Sequence, residues 1–410
     1  MRLNKFLIGL EEFDILHGCS RWVSICIFAV IYLTSSFMVT NDLVPSFVVI
    51  GSWLFLCAYL CSRKSGKDIS GVPIGLTLCA LFIVSYVVND ENMINGASLL
   101  FSFFVAILFC VKVPFRTFKD AFVYIMTFLA WVSMICYILY SLIPQMDALF
   151  TITRTDGTVF SNIFLYVSDT QEALKRNQGI FWEPGAYQAF IGVALIFELF
   201  SERVSFKRVA LFVVTIISTL STTGYIATII SFLIYYFKSI RSKDGSSASI
   251  FGITLLSVAF IVFLYQTSSN VSNPLMKVFN FYDNQGWADN TDLNSASVRY
   301  FSIVMPLKAF WERPLFGYGY EGLINYTKLY TDGMNTCTMI NWFALYGVFF
   351  GTLMIRAYFR ISKIFSNDGL VRILLFVFLF TVTMSENFAA NAFFFMIAIY
   401  GSMKIKQVGQ

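Results

Sequence analysis

Residues 209–243 read VALFVVTIISTLSTTGYIATIISFLIYYFKSIRSK, and the way this stretch crosses a membrane decides the fold. As one helix the apolar run 209–237 would measure about 44 Å, well beyond the roughly 30 Å of hydrocarbon in a bilayer. Its middle, Ser218-Thr219-Leu220-Ser221-Thr222-Thr223-Gly224, is polar and ends in a helix breaker. Arg203, Lys207 and Arg208 precede the run, while Lys238, Arg241 and Lys243 follow it. A single crossing would carry one basic cluster outside; a hairpin keeps both inside. The reading is a fold-back at the Ser/Thr/Gly patch, with irregular backbone at membrane depth, which survives only against protein or a wet cavity.

Outward from this stretch, apolar runs lie at about 22–39, 43–61, 71–88, 97–113, 121–143, 180–200, 248–265, 339–357 and 370–403, the last broken at Ser385-Glu386-Asn387. With both hairpins the expected fold is an all-α integral membrane protein of about 12 transmembrane helices, both termini on one side. Of the 29 Lys and Arg residues, 21 then fall on the side of the termini and the remaining 8 on the other, which makes the first side cytoplasmic. The chain reads as a single polytopic domain over 1–410, with two sizeable external segments, 144–179 and 266–338. No cleavable leader is apparent before the first span.

Composition agrees: 57% of the 410 residues are hydrophobic, 18% aromatic and 13% charged, too apolar for a water-soluble particle. The net charge of +5 follows from the basic cytoplasmic loops, so no nucleic-acid partner is implied. Cys26, Cys57, Cys61, Cys79, Cys110 and Cys136 sit in or at the end of apolar runs and read as small core residues, and Cys337 has no obvious disulfide partner. The single histidine is His17, and Asp289 and Asp292 read as a solvated loop; no metal site is expected.

Chemistry gathers in the two external segments. The first ends Lys175-Arg176-Asn177-Gln178-Gly179-Ile180-Phe181-Trp182-Glu183-Pro184-Gly185-Ala186-Tyr187. Pro184 suits a first helical turn, and Glu183 beside it reads equally as a helix-dipole partner or as a substrate-facing carboxylate. Arg176 stands on the external side, against the positive-inside trend, next to an expected positive helix end, which calls for an anion. The second segment holds Ser295-Ala296-Ser297-Val298-Arg299-Tyr300-Phe301. An amphipathic run follows to Trp311, expected to lie on the membrane surface through Val298, Phe301, Met305 and Phe310 with a kink at Pro306. Next comes Arg313-Pro314-Leu315-Phe316-Gly317-Tyr318-Gly319-Tyr320-Glu321-Gly322, whose glycines read as a plain loop because no strand, lysine and helix follow in phosphate-loop order.

Together the Arg176–Gly185 stretch, the Ser221-Thr222-Thr223-Gly224 turn, the Arg299–Gly319 stretch and Asn335 to Gly347 resemble, in that order, the family of O-antigen and capsule polymerases and O-antigen ligases. The resemblance implies a substrate built on undecaprenyl pyrophosphate, presented at the outer leaflet of a bacterial inner membrane, with glycosyl transfer as the chemistry. It implies no cofactor. Membrane lipid and a polysaccharide chain-length regulator are the further partners it suggests. Ligases of the family typically carry a histidine before the helix matching 339–357; here the place reads Asn335-Thr336-Cys337-Thr338, which favours a polymerase. A leaving pyrophosphate needs cations, so Arg176 and Arg299 are the first candidates, with Glu183 as the candidate base and Glu321 second. Gly179, Tyr187, Arg313, Tyr318, Tyr320, Glu321 and Asn335 complete the expected substrate-binding set. A ligase remains the alternative within the family, and a lipid-linked oligosaccharide flippase is the competing class. The scarcity of ionisable residues away from the helix ends speaks against a transporter.

Overall fold

The computed structural model describes residues 21–63, 68–91, 93–154, 157–171, 175–241, 295–331 and 335–404. Fourteen helices occur among them: α1 (Arg21–Ser35), α2 (Phe37–Thr40), α3 (Ser46–Ser62), α4 (Val72–Val88), α5 (Met93–Lys112), α6 (Phe115–Leu142), α7 (Pro184–Leu199), α8 (Phe206–Ser218), α9 (Thr222–Arg241), α10 (Ser295–Glu312), α11 (Tyr320–Thr331), α12 (Thr338–Phe365), α13 (Gly369–Thr383) and α14 (Ala392–Ser402). By length and composition α6, α9 and α12 suffice to cross a membrane, and seven further helices are apolar but shorter. The expected run at 248–265, and with it His17, Asp289 and Asp292, lies outside the described residues.

Central to the bundle is α7, every residue of which is buried. It packs against α6, α8, α9 and α13. Ring contacts extend this core, with Phe190 4.9 Å from Phe393 of α14 and Phe122 4.5 Å from the same ring. At the far end of α7 the negative helix terminus meets cations: Lys119 donates to the Phe200 carbonyl (3.3 Å) and Lys238 to that of Leu199 (3.0 Å). Beside them the fully buried Glu198 carboxylate is held by Arg208 at 2.9 Å. This basic end contrasts with the polar end, where α7 starts.

The 209–237 run is broken as expected, α8 ending at Ser218 and α9 starting at Thr222, with Leu220 between them at φ +52°. The break falls three residues before Gly224, which lies inside α9. There a Cβ would come within 3.2 Å of Gln188, so glycine serves close helix packing and not the turn. The final run also breaks, between α13 and α14. At about 20 Å for α8, about 22 Å for α13 and about 16 Å for α14, these pieces are shorter than a bilayer's hydrocarbon core.

Three features depart from the sequence reading. First, the chain is not all-α: β1 (Thr151–Thr153), β2 (Val159–Asn162) and β3 (Val167–Asp169) form an antiparallel sheet in order β1-β2-β3. Its Phe160 and Val167 pack on Phe37 of α2, because a short sheet needs an apolar cover to be stable. Second, α10 does not lie free on a membrane surface. Its Ser302, Met305 and Ala309 are buried, Phe310 meets Phe343 of α12 at 5.4 Å, and it packs on α11 and α12. Third, α12 is interrupted at Gly347 (φ +85°, ψ +179°), a region open essentially to glycine.

That interruption exposes carbonyls which the 314–319 loop takes up. Tyr318 N–H donates to Ala344 O (2.8 Å), Gly319 N–H to Leu345 O (3.1 Å), and Val348 N–H to Pro314 O (2.8 Å). Ser85 of α4 adds its hydroxyl to Phe316 O (2.9 Å) and Leu345 O (3.0 Å). Gly317, at positive φ, lets the two backbones touch, and Gly319, also at positive φ, leaves room for the Glu91 carboxylate. The glycines thus serve a loop-to-helix crossing, and the amides a phosphate cradle would need are already used.

Candidate functional site

At the polar end, the segment leading into α7 is pinned from three sides. Val167 N–H of β3 donates to Gly179 O (2.8 Å), Phe37 N–H to Ile180 O (2.8 Å), and Asn177 N–H to Ser218 O (3.0 Å). Asn177 also gives its side-chain amide to Ser218 Oγ (2.9 Å) and Ser133 Oγ (3.3 Å). Residues 176–177 therefore dip to the helix break and satisfy the last carbonyls of α8, groups that no intrahelical partner reaches.

Arg176 is fixed by this docking. Its Nε donates to Thr219 O at 3.2 Å, placing the guanidinium at the negative end of α8. The expectation from sequence was the positive start of α7; the hydrogen bond corrects it, and the α8 terminus accounts for part of the attraction on this cation. Neighbouring Lys175 is neutralised by Asp147 at 2.8 Å. Arg176 has no such carboxylate among the described residues, and its two terminal nitrogens are left for another anion.

Glu183 occupies the N-cap of α7 in extended conformation (φ −149°, ψ 155°), yet its side chain makes no cap hydrogen bond and is exposed. The helix-dipole partner of α7 is instead Glu386. This residue, 8% exposed, accepts from Trp182 Nε1 (3.2 Å) and lies against Gly185, where any Cβ would collide with its carboxylate. Ser385 Oγ donates to Gly185 O (3.1 Å), and Thr338 Oγ1 to Glu386 O (2.7 Å), so the 384–391 loop ties the start of α7 to the start of α12. An acid inside an apolar run was the available signal for Glu386.

The remaining candidates separate by role. Tyr187 is fully buried, stacked on Phe181 at 5.1 Å and hydrogen-bonded to Ser133 at 2.7 Å, so it offers no open ring face to a sugar. Gly179 (φ +56°) packs over the Tyr187 ring, where a Cβ would lie 3.1 Å away. Asn335 is buried and donates to Thr327 Oγ1 (2.9 Å), while its carbonyl accepts from Asn341 (2.9 Å); it holds the entrance to α12. Arg299 lies on α10, and its side chain is outside the described part of the structure.

Around α11 sits a second group. Glu91, 6% exposed in the loop between α4 and α5, accepts from the Glu321 N–H (2.9 Å) at the first turn of α11. Burial pushes its carboxyl up and the amides of residues 320–322 draw it back. Tyr320 and Glu321 are exposed there. Arg313 reaches Asn89 Oδ1 (3.4 Å) and lies over the Tyr318 ring at 4.4 Å. Tyr318 in turn donates to Glu312, a carboxylate that sequence reasoning did not single out.

The sequence profile of a family described as O-antigen ligase matches residues 209–336, from α8 through α11 to Asn335 and Thr336. No curated protein matches the chain at a significant level. The matched part contains the α8–α9 break, Arg299 and the Arg313–Tyr320 loop, while Arg176 and Glu183 precede it. This agrees with the resemblance carried by the motifs and supports glycan processing at a membrane.

Proposed function

We propose that the protein is a polysaccharide polymerase of the O-antigen or capsule type, joining oligosaccharide repeats carried on undecaprenyl pyrophosphate at the external face of a bacterial inner membrane. The observation that carries this is Arg176, a guanidinium docked on Thr219 O at the helix break, with its fork unspent and no carboxylate paired with it among the described residues. The other external-segment cation beside it, Lys175, is already paired. The division of basic residues along the sequence, 21 in the segments assigned to the side of the termini and 8 in the others, supports an external polar end and cytoplasmic termini.

In the transfer, a hydroxyl of the acceptor repeat attacks the anomeric carbon of the donor chain. The new C–O bond forms as the bond from that carbon to the pyrophosphate breaks, and its electron pair leaves on the phosphate oxygen. Arg176, together with Arg299, offsets the charge that develops there. The hydroxyl proton passes to a carboxylate; Glu183, exposed and making no cap bond, is the candidate base. This charge stabilisation is metal-independent, carried by arginine alone.

Polymerase is favoured over ligase because the chain's one histidine, His17, precedes the first span. Deleting the gene tests the assignment through surface glycan length. Glycans capped at one repeat are expected. Complete loss of transfer to lipid A-core would replace the reading with a ligase, and lipid-linked repeats accumulating inside the cell would replace it with a flippase. Purified protein should extend lipid-linked repeats in EDTA; activity lost in chelator and restored by a divalent cation would remove the arginine-only account of the leaving group.

A further inference from the structure

Where α8 gives way to α9, two helix ends meet, and only one of them is satisfied. The carbonyls that end α8 are taken: Ile217 O by the Tyr225 hydroxyl (3.2 Å), Ser218 O by the Asn177 N–H (3.0 Å) and Thr219 O by Arg176 Nε (3.2 Å). The amides that start α9 are not. Its bonding begins with the Tyr225 N–H on Ser221 O (3.2 Å), and the N–H groups of Thr222, Thr223 and Gly224 have no partner among the described residues. Ser221 precedes the first helical residue, the place from which a serine usually caps such amides, yet its buried hydroxyl makes no hydrogen bond among the described residues. Nor does the buried Thr223 Oγ1. Gln188 of α7, 0% exposed, has both amide atoms without a partner, and its Oε1 lies 3.2 Å from where a Gly224 Cβ would stand, against the first turn of α9. Buried polar groups are nearly always paired, so this concentration asks for a ligand.

The ligand's sign follows from the groups around it. Free N–H groups at the positive end of a 20-residue helix call for an acceptor, and for negative charge. Serine and threonine hydroxyls can donate, and a half-turn of the Gln188 carboxamide presents its NH₂ in place of its oxygen. Arg176 stands at the same break: Thr219, on which it is docked, is three residues before Thr222, and its charge acts on Tyr225 in the first turn of α9. Leu220, Thr222, Tyr225 and Arg176 are only half-buried, so the break is not sealed. We propose that the start of α9 is a phosphate-binding site, in which the Thr222–Gly224 amides, the Ser221 and Thr223 hydroxyls and Gln188 hold one phosphate of a lipid pyrophosphate whose other phosphate lies in the Arg176 fork. A neutral sugar fits worse, because a ring of donors beside a guanidinium leaves its hydroxyl protons without acceptors. The inference rests on the glycan-processing reading and adds what holds the phosphate that the arginine leaves.

The test titrates full-length protein in phosphatidylcholine nanodiscs with undecaprenyl pyrophosphate carrying no sugar and, separately, with inorganic pyrophosphate. Ser221→Ala, Thr223→Val and Gln188→Leu are each expected to bind undecaprenyl pyrophosphate roughly 10-fold to 100-fold more weakly than wild type, as for loss of a hydrogen bond to a charged group. Without ligand the three variants should melt no lower than wild type, because each loses a polar group that was unpaired. A lowered ligand-free midpoint with wild-type affinity would make these residues ordinary helix contacts and overturn the site. Wild-type affinity in all three variants would overturn it too, as would wild-type protein that binds neither probe. The same variant losses with inorganic pyrophosphate would support a site that recognises the phosphates themselves; losses with the lipid probe alone would support one that takes them only on their lipid. Unchanged surface glycan length after gene deletion would remove the polymerase reading, while these titrations, made without sugar, would still decide the phosphate site.

Discussion

Replacing Gly347 by alanine is expected to cost the protein its folded state more than any other single methyl group at the polar end. The residue sits at φ +85° and ψ +179°, where a side chain alone costs on the order of 1–3 kcal/mol. The added Cβ would also run into the Leu315 carbonyl and the Phe316 amide, both backbone, so no rotamer change relieves the overlap. If the 314–319 loop withdraws, Ala344 O and Leu345 O lose the amides that now reach them; if α12 straightens, the Tyr318 and Gly319 amides lose their acceptors. A total of about 4 kcal/mol follows, equivalent to a fall of roughly 5 °C in the melting midpoint of a chain this long. Thermal unfolding in detergent with gel-filtration readout measures it. Gly51→Ala is the control, because nothing lies within 4 Å of a Cβ there and alanine is the better helix former. A Gly347→Ala protein that melts with the wild type would mean that the loop does not thread the helix break.

Why this crossing escaped the sequence reading is physical. Ala344-Leu345-Tyr346-Gly347-Val348-Phe349-Phe350 has the hydropathy of an uninterrupted helix, and the interruption exists because a loop some thirty residues earlier supplies replacement hydrogen bonds. Long-range backbone pairing leaves no local signal. By contrast the α8–α9 break was legible, since polar residues in an apolar run and basic residues on both flanks are local features, and the break at 384–391 was legible for the same reason. The sheet has a local sequence signal too: Asp156-Gly157 between Thr151-Ile152-Thr153 and Val159-Phe160 is a hairpin pattern within the 144–179 segment. Tyr187 shows a different limit. Its neighbours Glu183 and Pro184 suggest an interface, but α7 is buried on all sides, and how many neighbours surround a helix is not written in its own residues. For the carboxylates, Glu91, Glu312 and Glu386 gain meaning only from the helix ends that happen to meet them.

Arg176→Ala is expected to reduce repeat transfer by roughly 10²-fold to 10³-fold, the scale for losing one preorganised donor to a developing oxyanion. Capping the negative end of α8 is the alternative role, and its hydrogen bond to Thr219 O makes that alternative concrete. The two separate at lysine. A lysine ammonium can reach the Thr219 carbonyl and satisfy the helix end, so a cap alone would survive Arg176→Lys with near wild-type activity and melting point. Arginine does more: with Nε on Thr219 O, Nη1 and Nη2 remain as an end-on fork able to take two oxygens of one phosphate. A single ammonium bound to the carbonyl cannot also present that fork, so Arg176→Lys should retain the melting point and still lose about 10-fold or more in transfer. Arg299→Lys, measured in the same assay, should behave alike if both cations meet the pyrophosphate. Full transfer and normal polymer length in both lysine variants would reduce Arg176 to a helix cap and leave the leaving group without its proposed clamp.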